Sequence, residues 1–226
     1  MRVALIGYGK MGRMIESLAP AAGIEISHRL DIGWSEADVK DRPDAAIEFS
    51  VPDAAVANLE KLAALRIPAV CGTTGWLGEL DRVRRAVETN ETALVYSANF
   101  SIGVNVFQRL AAEAARLLRD EAQYEAWAWE IHHSAKKDAP SGTLLQLTAA
   151  MRAAGYERRI DESSNRAGAH PGTHEIGFDS AADTITLRHA ARSREGFARG
   201  ALKAAQWVQG KRGVHAFADV LFGQTR

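Results

Sequence analysis

The stretch that decides the fold is Arg2-Val3-Ala4-Leu5-Ile6-Gly7-Tyr8-Gly9-Lys10-Met11-Gly12. A short apolar run suited to a strand leads directly into three glycines, and helical periodicity begins at the third. Each glycine has a separate task in such a turn. Gly7 permits the tight reversal, Gly9 lets backbone approach a pyrophosphate, and Gly12 lets helix and strand pack closely. The amides at the helix start, with the helix dipole, then favour phosphate. Three glycines alone are a weak signal, and the same residues also make a ligand-free turn. Their place between strand and helix carries the nucleotide reading.

Outward from this turn, apolar runs at 3–6, 24–30, 45–49, 69–71 and 93–96 alternate with helical stretches at 12–22, 54–65 and 78–89. Alternation of this kind predicts βαβ units, a parallel doubly wound sheet and a ligand crevice at the strands' carboxyl ends. The unusual segments all follow strands: the glycine-rich turn, Phe49-Ser50-Val51-Pro52, Gly72-Thr73-Thr74-Gly75 and Ala98-Asn99-Phe100. They are expected to rim one crevice. Asp31, 19 residues after Gly12, ends the second strand, where an acid accepts from the adenosine ribose hydroxyls. A surface turn acid is the plainer alternative. Ile32 follows it rather than an arginine, and Asp31 alone would repel a 2′-phosphate, so NADH is expected over NADPH. Lys10 and Arg13 are the cations that complicate this expectation. Gly72, Thr73 and Thr74 offer backbone and hydroxyls to a nicotinamide ribose or carboxamide, or serve as an ordinary loop.

From about residue 104 the pattern changes. A helix at 105–118 leads to an alternating run at 124–132 with Trp127 and Trp129 on one face. A helix at 142–154 is closed by Gly155, further alternating runs lie at 174–178 and 184–189, and a last helix spans 197–208. The expected architecture is α/β: a Rossmann-type parallel-sheet domain formed by 1–103 plus 198–226, and a second α+β domain with a mixed sheet at 104–197. Two chain crossings, near 100–104 and 192–198, would join them.

Composition narrows the function. Lys plus Arg and Asp plus Glu both number 28, giving zero formal net charge, which argues against nucleic acid as partner. No apolar run reaches membrane-spanning length, so no membrane partner is expected. One cysteine, Cys71, excludes an internal disulfide and fits a reducing cytoplasm, the expected location.

The densest chemistry lies in Glu130-Ile131-His132-His133-Ser134-Ala135-Lys136-Lys137-Asp138-Ala139-Pro140-Ser141-Gly142-Thr143. Histidines end a strand, lysines follow in a loop, and Ser141 is placed to cap a helix. The Gly142 and Thr143 amides then form a site for a carboxylate. Lys136 offers a mobile charge and a proton, and the histidines titrate near neutrality. In a regular strand His132 and His133 face opposite ways, so both serve one site only if the strand ends or bends between them. No third ligand at a recognisable spacing accompanies them, so no metal is expected.

These motifs, with Ser97-Ala98-Asn99-Phe100-Ser101-Ile102-Gly103-Val104-Asn105 and Ser193-Arg194 before Phe197-Ala198-Arg199-Gly200-Ala201, resemble the dihydrodipicolinate reductase family along nearly the whole chain. The resemblance implies reduction of a cyclic imine derived from 4-hydroxy-tetrahydrodipicolinate to tetrahydrodipicolinate, in lysine and diaminopimelate biosynthesis. It implies His132 and Lys136 as catalytic proton-transfer residues, and His133, Gly142 and Thr143 as contacts to a small dicarboxylate. Cofactor contacts would be Gly7, Tyr8, Gly9, Lys10, Met11, Asp31, Gly72, Thr73, Thr74, Ser97, Ala98, Asn99 and Phe100. A homotetramer assembled through the second domain's sheet is also implied. The chain departs from many relatives in a glycine-rich turn one residue shorter and in Ile32 replacing an arginine. Both departures bear on cofactor choice. Two other classes fit the bare motifs: another Rossmann oxidoreductase acting on a small acid, and a non-catalytic nucleotide-sensing regulator. The regulator needs no proton donor beside an anion-binding helix start.

Overall fold

The computed structural model describes residues 1–223, so the last three residues of the expected 198–226 segment lie outside the described residues. In chain order the elements are β1 (Arg2–Ile6), α1 (Lys10–Leu18), β2 (Glu25–Leu30), β3 (Ala45–Glu48), α2 (Pro52–Ala64), β4 (Ala69–Cys71), α3 (Leu80–Thr89) and β5 (Ala93–Tyr96). There follow α4 (Ile102–Leu118), β6 (Glu125–His132), α5 (Gly142–Ala153), β7 (Ile160–Arg166), β8 (Thr173–Asp179), β9 (Thr184–Ala190), α6 (Glu195–Val208), β10 (Gly213–Ala216) and α7 (Phe217–Phe222). The chain divides into two compact units, Met1–Ile102 with Glu195–Arg226, and Gly103–Arg194.

The first unit is built on a six-stranded parallel sheet in the order β10-β5-β4-β3-β1-β2. Successive side chains of a strand point to opposite faces. Val3 and Leu5 accordingly pack with Ile15 of α1, Ala201 and Ala205 of α6 and Phe217 of α7, while Ala4 and Ile6 pack with Leu59 and Leu62 of α2 and Val83 of α3. Burial on both faces explains why β1, β4 and β5 read as unbroken apolar runs, whereas β2 at the sheet edge stays half exposed. The Rossmann-like, doubly wound class is borne out. Its strand order is the one with β3 directly beside β1. Residues 31–44 form no further strand, only a 3₁₀ turn at Glu36–Asp38. The order therefore reverses between β1 and β3, the switch point where doubly wound sheets bind ligands.

The first expected helix, 12–22, is shorter in the structure: α1 ends at Leu18, and Pro20–Ala22 continues as a 3₁₀ turn closed by Gly23 at φ +68°. Pro20 lacks the amide that would continue the α-helical ladder.

The second unit contains a mixed sheet in the order β7-β6-β8-β9, with β6 and β7 parallel and the other pairs antiparallel. Phe107 and Ala111 of α4 and Leu144, Leu147 and Met151 of α5 bury one face, against Ala126, Ala128, Ile176 and Phe178. The expected strands and helices occur here, with one addition, the polar strand β7 at the sheet edge. No described helix is long and apolar enough to cross a membrane.

Candidate active site

In the first unit the loops after β1, β3, β4 and β5 all leave the carboxyl ends of neighbouring parallel strands. Gly7 has φ +89°, and a Cβ there would overlap the Phe49 carbonyl. Gly9, at the N-cap of α1, receives no side-chain cap, and no atom lies within 4 Å of where its Cβ would be. Open space thus faces uncapped helix-start amides, which fits a pyrophosphate. Gly9, Lys10, Met11, Gly72, Thr73 and Thr74 line one cleft of about 350 Å³ with Phe49, Ser50 and Pro52. Thr73 is held from three directions. Its hydroxyl accepts from the Ser50 amide at 2.8 Å, and its carbonyl accepts from the Trp76 indole at 2.8 Å and from the Cys71 thiol at 3.9 Å.

Asp31 lies in a separate open cleft with His28, Arg29, Ile32, Gly33 and Trp34. Its carboxylate accepts the Ile32 amide at 3.0 Å, and the Ile32 side chain stands 86% exposed. Arg29, the nearest guanidinium in the sequence, donates to Glu16 through Nε at 2.7 Å; Glu16 also accepts from the Tyr8 hydroxyl. Arg13 stacks on the Tyr8 ring, 5.4 Å from its centroid. These cations have partners, and Lys10 belongs to the other cleft. Ser97 donates its hydroxyl to the Asn99 carbonyl at 2.8 Å, and Asn99 accepts the Ser101 amide at 2.9 Å. Phe100, expected as a cofactor contact, is 1% exposed and packs its ring against Phe49 and Phe217. Its side chain is a core anchor.

In the second unit β6 ends at His132, so the strand stops between the two histidines, which frees His133 from the opposite-face constraint. His132 is 8% exposed, and its Nδ1 lies 3.5 Å from Glu130 Oε2. Burial lowers the His132 pKa; Glu130 opposes that, and Lys136 adds to it. Lys136 reaches both Asp138 carboxylate oxygens at 2.8 Å. Ser141 caps α5 by accepting the Leu144 amide at 3.2 Å, and Gly142 has no neighbour within 4 Å of its Cβ position. The helix start expected at Gly142 and Thr143 is present as the first turn of α5.

Sequence reasoning missed three residues that organise this end. Glu130 is wholly buried, and its Oε1 accepts from the Ser141 amide (2.9 Å), Ser164 Oγ (2.9 Å) and Arg166 Nη2 (2.8 Å). Burial raises its pKa, but donors from Ser141, Arg166 and Ser164 outweigh that and leave it at about 2. His174, paired with Glu130 across β6 and β8, places Nε2 3.2 Å from Glu130 Oε2. The signal was the alternation itself, which puts Glu130 and His132 on one strand face. Glu130, His132 and His174 offer ligand atoms within 4.8 Å of one another, the third brought in from β8 by strand pairing and not by any local spacing. Arg166 already neutralises that carboxylate, so the cluster reads as a hydrogen-bonded hub.

Matches to known proteins agree with this geometry. Residues 1–100 match the model described as "Dihydrodipicolinate reductase, N-terminus", and residues 103–221 match the corresponding C-terminal model. A 4-hydroxy-tetrahydrodipicolinate reductase of Christiangramia forsetii is 37% identical, the match covering 98% of each chain. One of Methanoregula boonei is 35% identical over 93% of this chain and 92% of its own. The fold is shared with dipicolinate-bound dihydrodipicolinate reductase from Paenisporosarcina sp. TG-14, with a TM-score of 0.82 at 20% identity over 96% and 97% of the two chains. The doubly wound sheet with its glycine turn, and the separate mixed sheet with its histidine–lysine loop, define a pyridine-nucleotide-dependent reductase. The chain belongs to the dihydrodipicolinate reductase family.

Proposed function

We propose that this chain reduces the cyclic imine formed from 4-hydroxy-tetrahydrodipicolinate to tetrahydrodipicolinate, in lysine and diaminopimelate biosynthesis, with NADH favoured over NADPH. The observation that carries the reading is the gathering of His132, Lys136 and the Ser141-capped start of α5 at one end of β6. When bound, the reduced nucleotide would supply a hydride to ring carbon C4, conjugated with the imine, so that the C=N bond is kept in the product. Negative charge then develops toward the ring nitrogen, and His132 and Lys136 are the acids placed to neutralise it. The Gly142 and Thr143 amides hold one substrate carboxylate, with His133 as a further contact. Gly7 to Met11, Gly72 to Thr74 and Ser97 to Phe100 would hold the cofactor, Phe100 through its backbone.

The NADH preference is supported at Asp31. Its carboxylate suits ribose hydroxyls and repels a 2′-phosphate, Ile32 brings no compensating charge, and Arg29 is engaged by Glu16. Assembly as a homotetramer belongs to the same reading and is supported by the uncovered face of the second unit's sheet.

The test supplies purified protein with freshly generated dihydrodipicolinate synthase product and either NADH or NADPH, following loss of nucleotide absorbance. Turnover is expected with a higher kcat/KM for NADH. His132→Gln and Lys136→Ala should each lower kcat within the range of about 10²–10⁴-fold found for positioned acids, with cofactor Kd little changed. No turnover with either nucleotide overturns the assignment; a higher kcat/KM for NADPH overturns only the cofactor preference.

A further inference from the structure

We propose that Glu130 is a positioning residue for the reduction, one buried carboxylate that sets both the tautomer of His132 and the start of helix α5. The inference rests on the reductase reading for its kinetic consequence, but its geometry stands independently. The two oxygens of Glu130 have separate duties. Oε1 takes three donors, among them the Ser141 amide at the N-cap of α5, whose next two residues are the proposed carboxylate cradle. Oε2 takes no hydrogen bond from that set and faces two imidazoles, His132 Nδ1 at 3.5 Å and His174 Nε2 at 3.2 Å. His132 Nδ1 and Glu130 Oε2 are both buried, lie 3.5 Å apart, and neither makes a hydrogen bond in the structure. A proton on Nδ1 turned toward this carboxylate would pair both.

That arrangement has a direct chemical consequence. A carboxylate on Nδ1 fixes the neutral ring with its lone pair at Nε2 and favours the imidazolium when a proton arrives. The Nε2 edge is left room by Gly172, whose Cβ, were there one, would sit 3.0 Å from His132 Nε2. With φ +140°, Gly172 also has a backbone that side-chain-bearing residues rarely adopt. The proton-transfer nitrogen is thus the one aimed away from Glu130. His174 completes the hub: its ring meets that of His132 edge-on at 5.0 Å, and its Nε2 also lies 3.2 Å from the Ser141 hydroxyl that caps α5.

The charges facing His132 come from every side. Glu130 lies on its own strand, His174 on β8, Arg166 on β7, and Lys136 and Asp138 on the following loop. Glu130 and Asp138 favour the imidazolium; Arg166, Lys136 and burial oppose it. Removing the Glu130 charge therefore lowers the pH at which His132 gives up its proton. A catalytic acid with a lower pKa becomes deprotonated sooner as pH rises, so the alkaline limb of the kcat/KM profile must move to lower pH.

Glu130→Gln keeps the shape and removes the charge. Expected are an alkaline limb displaced to lower pH and a kcat at pH 7 reduced about tenfold to hundredfold, part of the roughly 10²–10⁴ ascribed to a positioned acid. Glu130→Asp, which restores the charge, should return the limb toward its original position. A residue that only supported folding would lower the active fraction without moving the limb. In case Glu130→Gln does not fold, the unaltered protein provides a separate measurement. Nitrogen-15 NMR of the His132 ring, identified by its loss in His132→Gln, should show the neutral Nδ1–H tautomer without any substrate. An Nε2–H tautomer there, or an unshifted limb with kcat within twofold in a folded Glu130→Gln, would overturn the proposal. Failure of the unaltered enzyme to turn over would instead count against the reductase reading and leave the tautomer result standing.

Discussion

His174 and Glu130 carry opposite charges when ionised, yet both weaken the protein as it is acidified. Burial beside His132 moves the His174 pKa from 6.5 down to about 4. Below pH 6.5 the unfolded chain takes up a proton at this position that the folded protein refuses until about pH 4. Its contribution is therefore complete above 6.5 and lost progressively across that window, about 3 kcal/mol in all at 1.36 kcal/mol per decade. Glu130 extends the decline. Held at about 2 against an ordinary 4.5, its stabilisation is full above 4.5 and disappears as pH falls toward 2. His174→Gln should therefore give an unfolding free energy that falls less steeply between pH 6.5 and 4 than that of the unaltered protein, read from urea titrations at each pH. Parallel curves for the two proteins would show that His174 is not the group being titrated.

Among the elements, the first strand-turn-helix separates what a glycine does for the fold from what it does for a ligand. Gly7 is structural: its positive φ and the adjacent Phe49 carbonyl leave no room for a side chain. Gly9 has ordinary φ, −83°, and open space around it. Gly7→Ala should lower stability by about 1–3 kcal/mol, the scale of a residue forced into a sparsely populated conformation. Gly9→Ala should melt close to the parent but bind NADH at least tenfold more weakly, a difference of about 1.4 kcal/mol in calorimetry. Equal NADH affinity in Gly9→Ala would remove the pyrophosphate from this turn. The same contrast explains which elements could be read from the sequence. Strands β1, β3, β4 and β5 are buried on both faces and announce themselves, and Ser141 announces its helix by capping it. β7, Ile160-Asp161-Glu162-Ser163-Ser164-Asn165-Arg166, does not, because this edge strand spends Ser164 and Arg166 on the Glu130 carboxylate and shows no apolar period. β10 is four half-buried residues at the other sheet's edge. His132 and Lys136 were visible as a local motif, whereas Glu130, Arg166 and His174 meet only through the register of three strands, and residue spacing carries no such information. The burial of the Phe100 side chain was not legible either: a conspicuous loop aromatic is held inside by Phe49 and Phe217.

At the scale of the whole molecule, the second unit's sheet has two unlike faces. One is closed by α4 and α5. On the other, Trp127 lies over Gly177, and Trp129 donates its indole N–H to Asn165 at 2.6 Å. Around these half-buried rings Asp161, Ser163, Thr184, Thr186 and Arg188 are exposed. Aromatic residues at the centre and polar ones at the margin describe an interface better than a free surface. A second copy of the chain is the occupant proposed for it, since two such sheets meeting face to face would bring their tryptophans together with the polar strands at the rim. A stable contact of this kind needs roughly 1,200–2,000 Å² in total. Sedimentation at micromolar concentration should accordingly give at least twice the 24.5 kDa chain mass, and four times that mass if the proposed homotetramer forms. Trp129→Asp should reduce that mass with little effect on the secondary structure, because the ring faces away from the core shared with α4 and α5. A mass of one chain for the unaltered protein across the micromolar range would leave the sheet face without this partner.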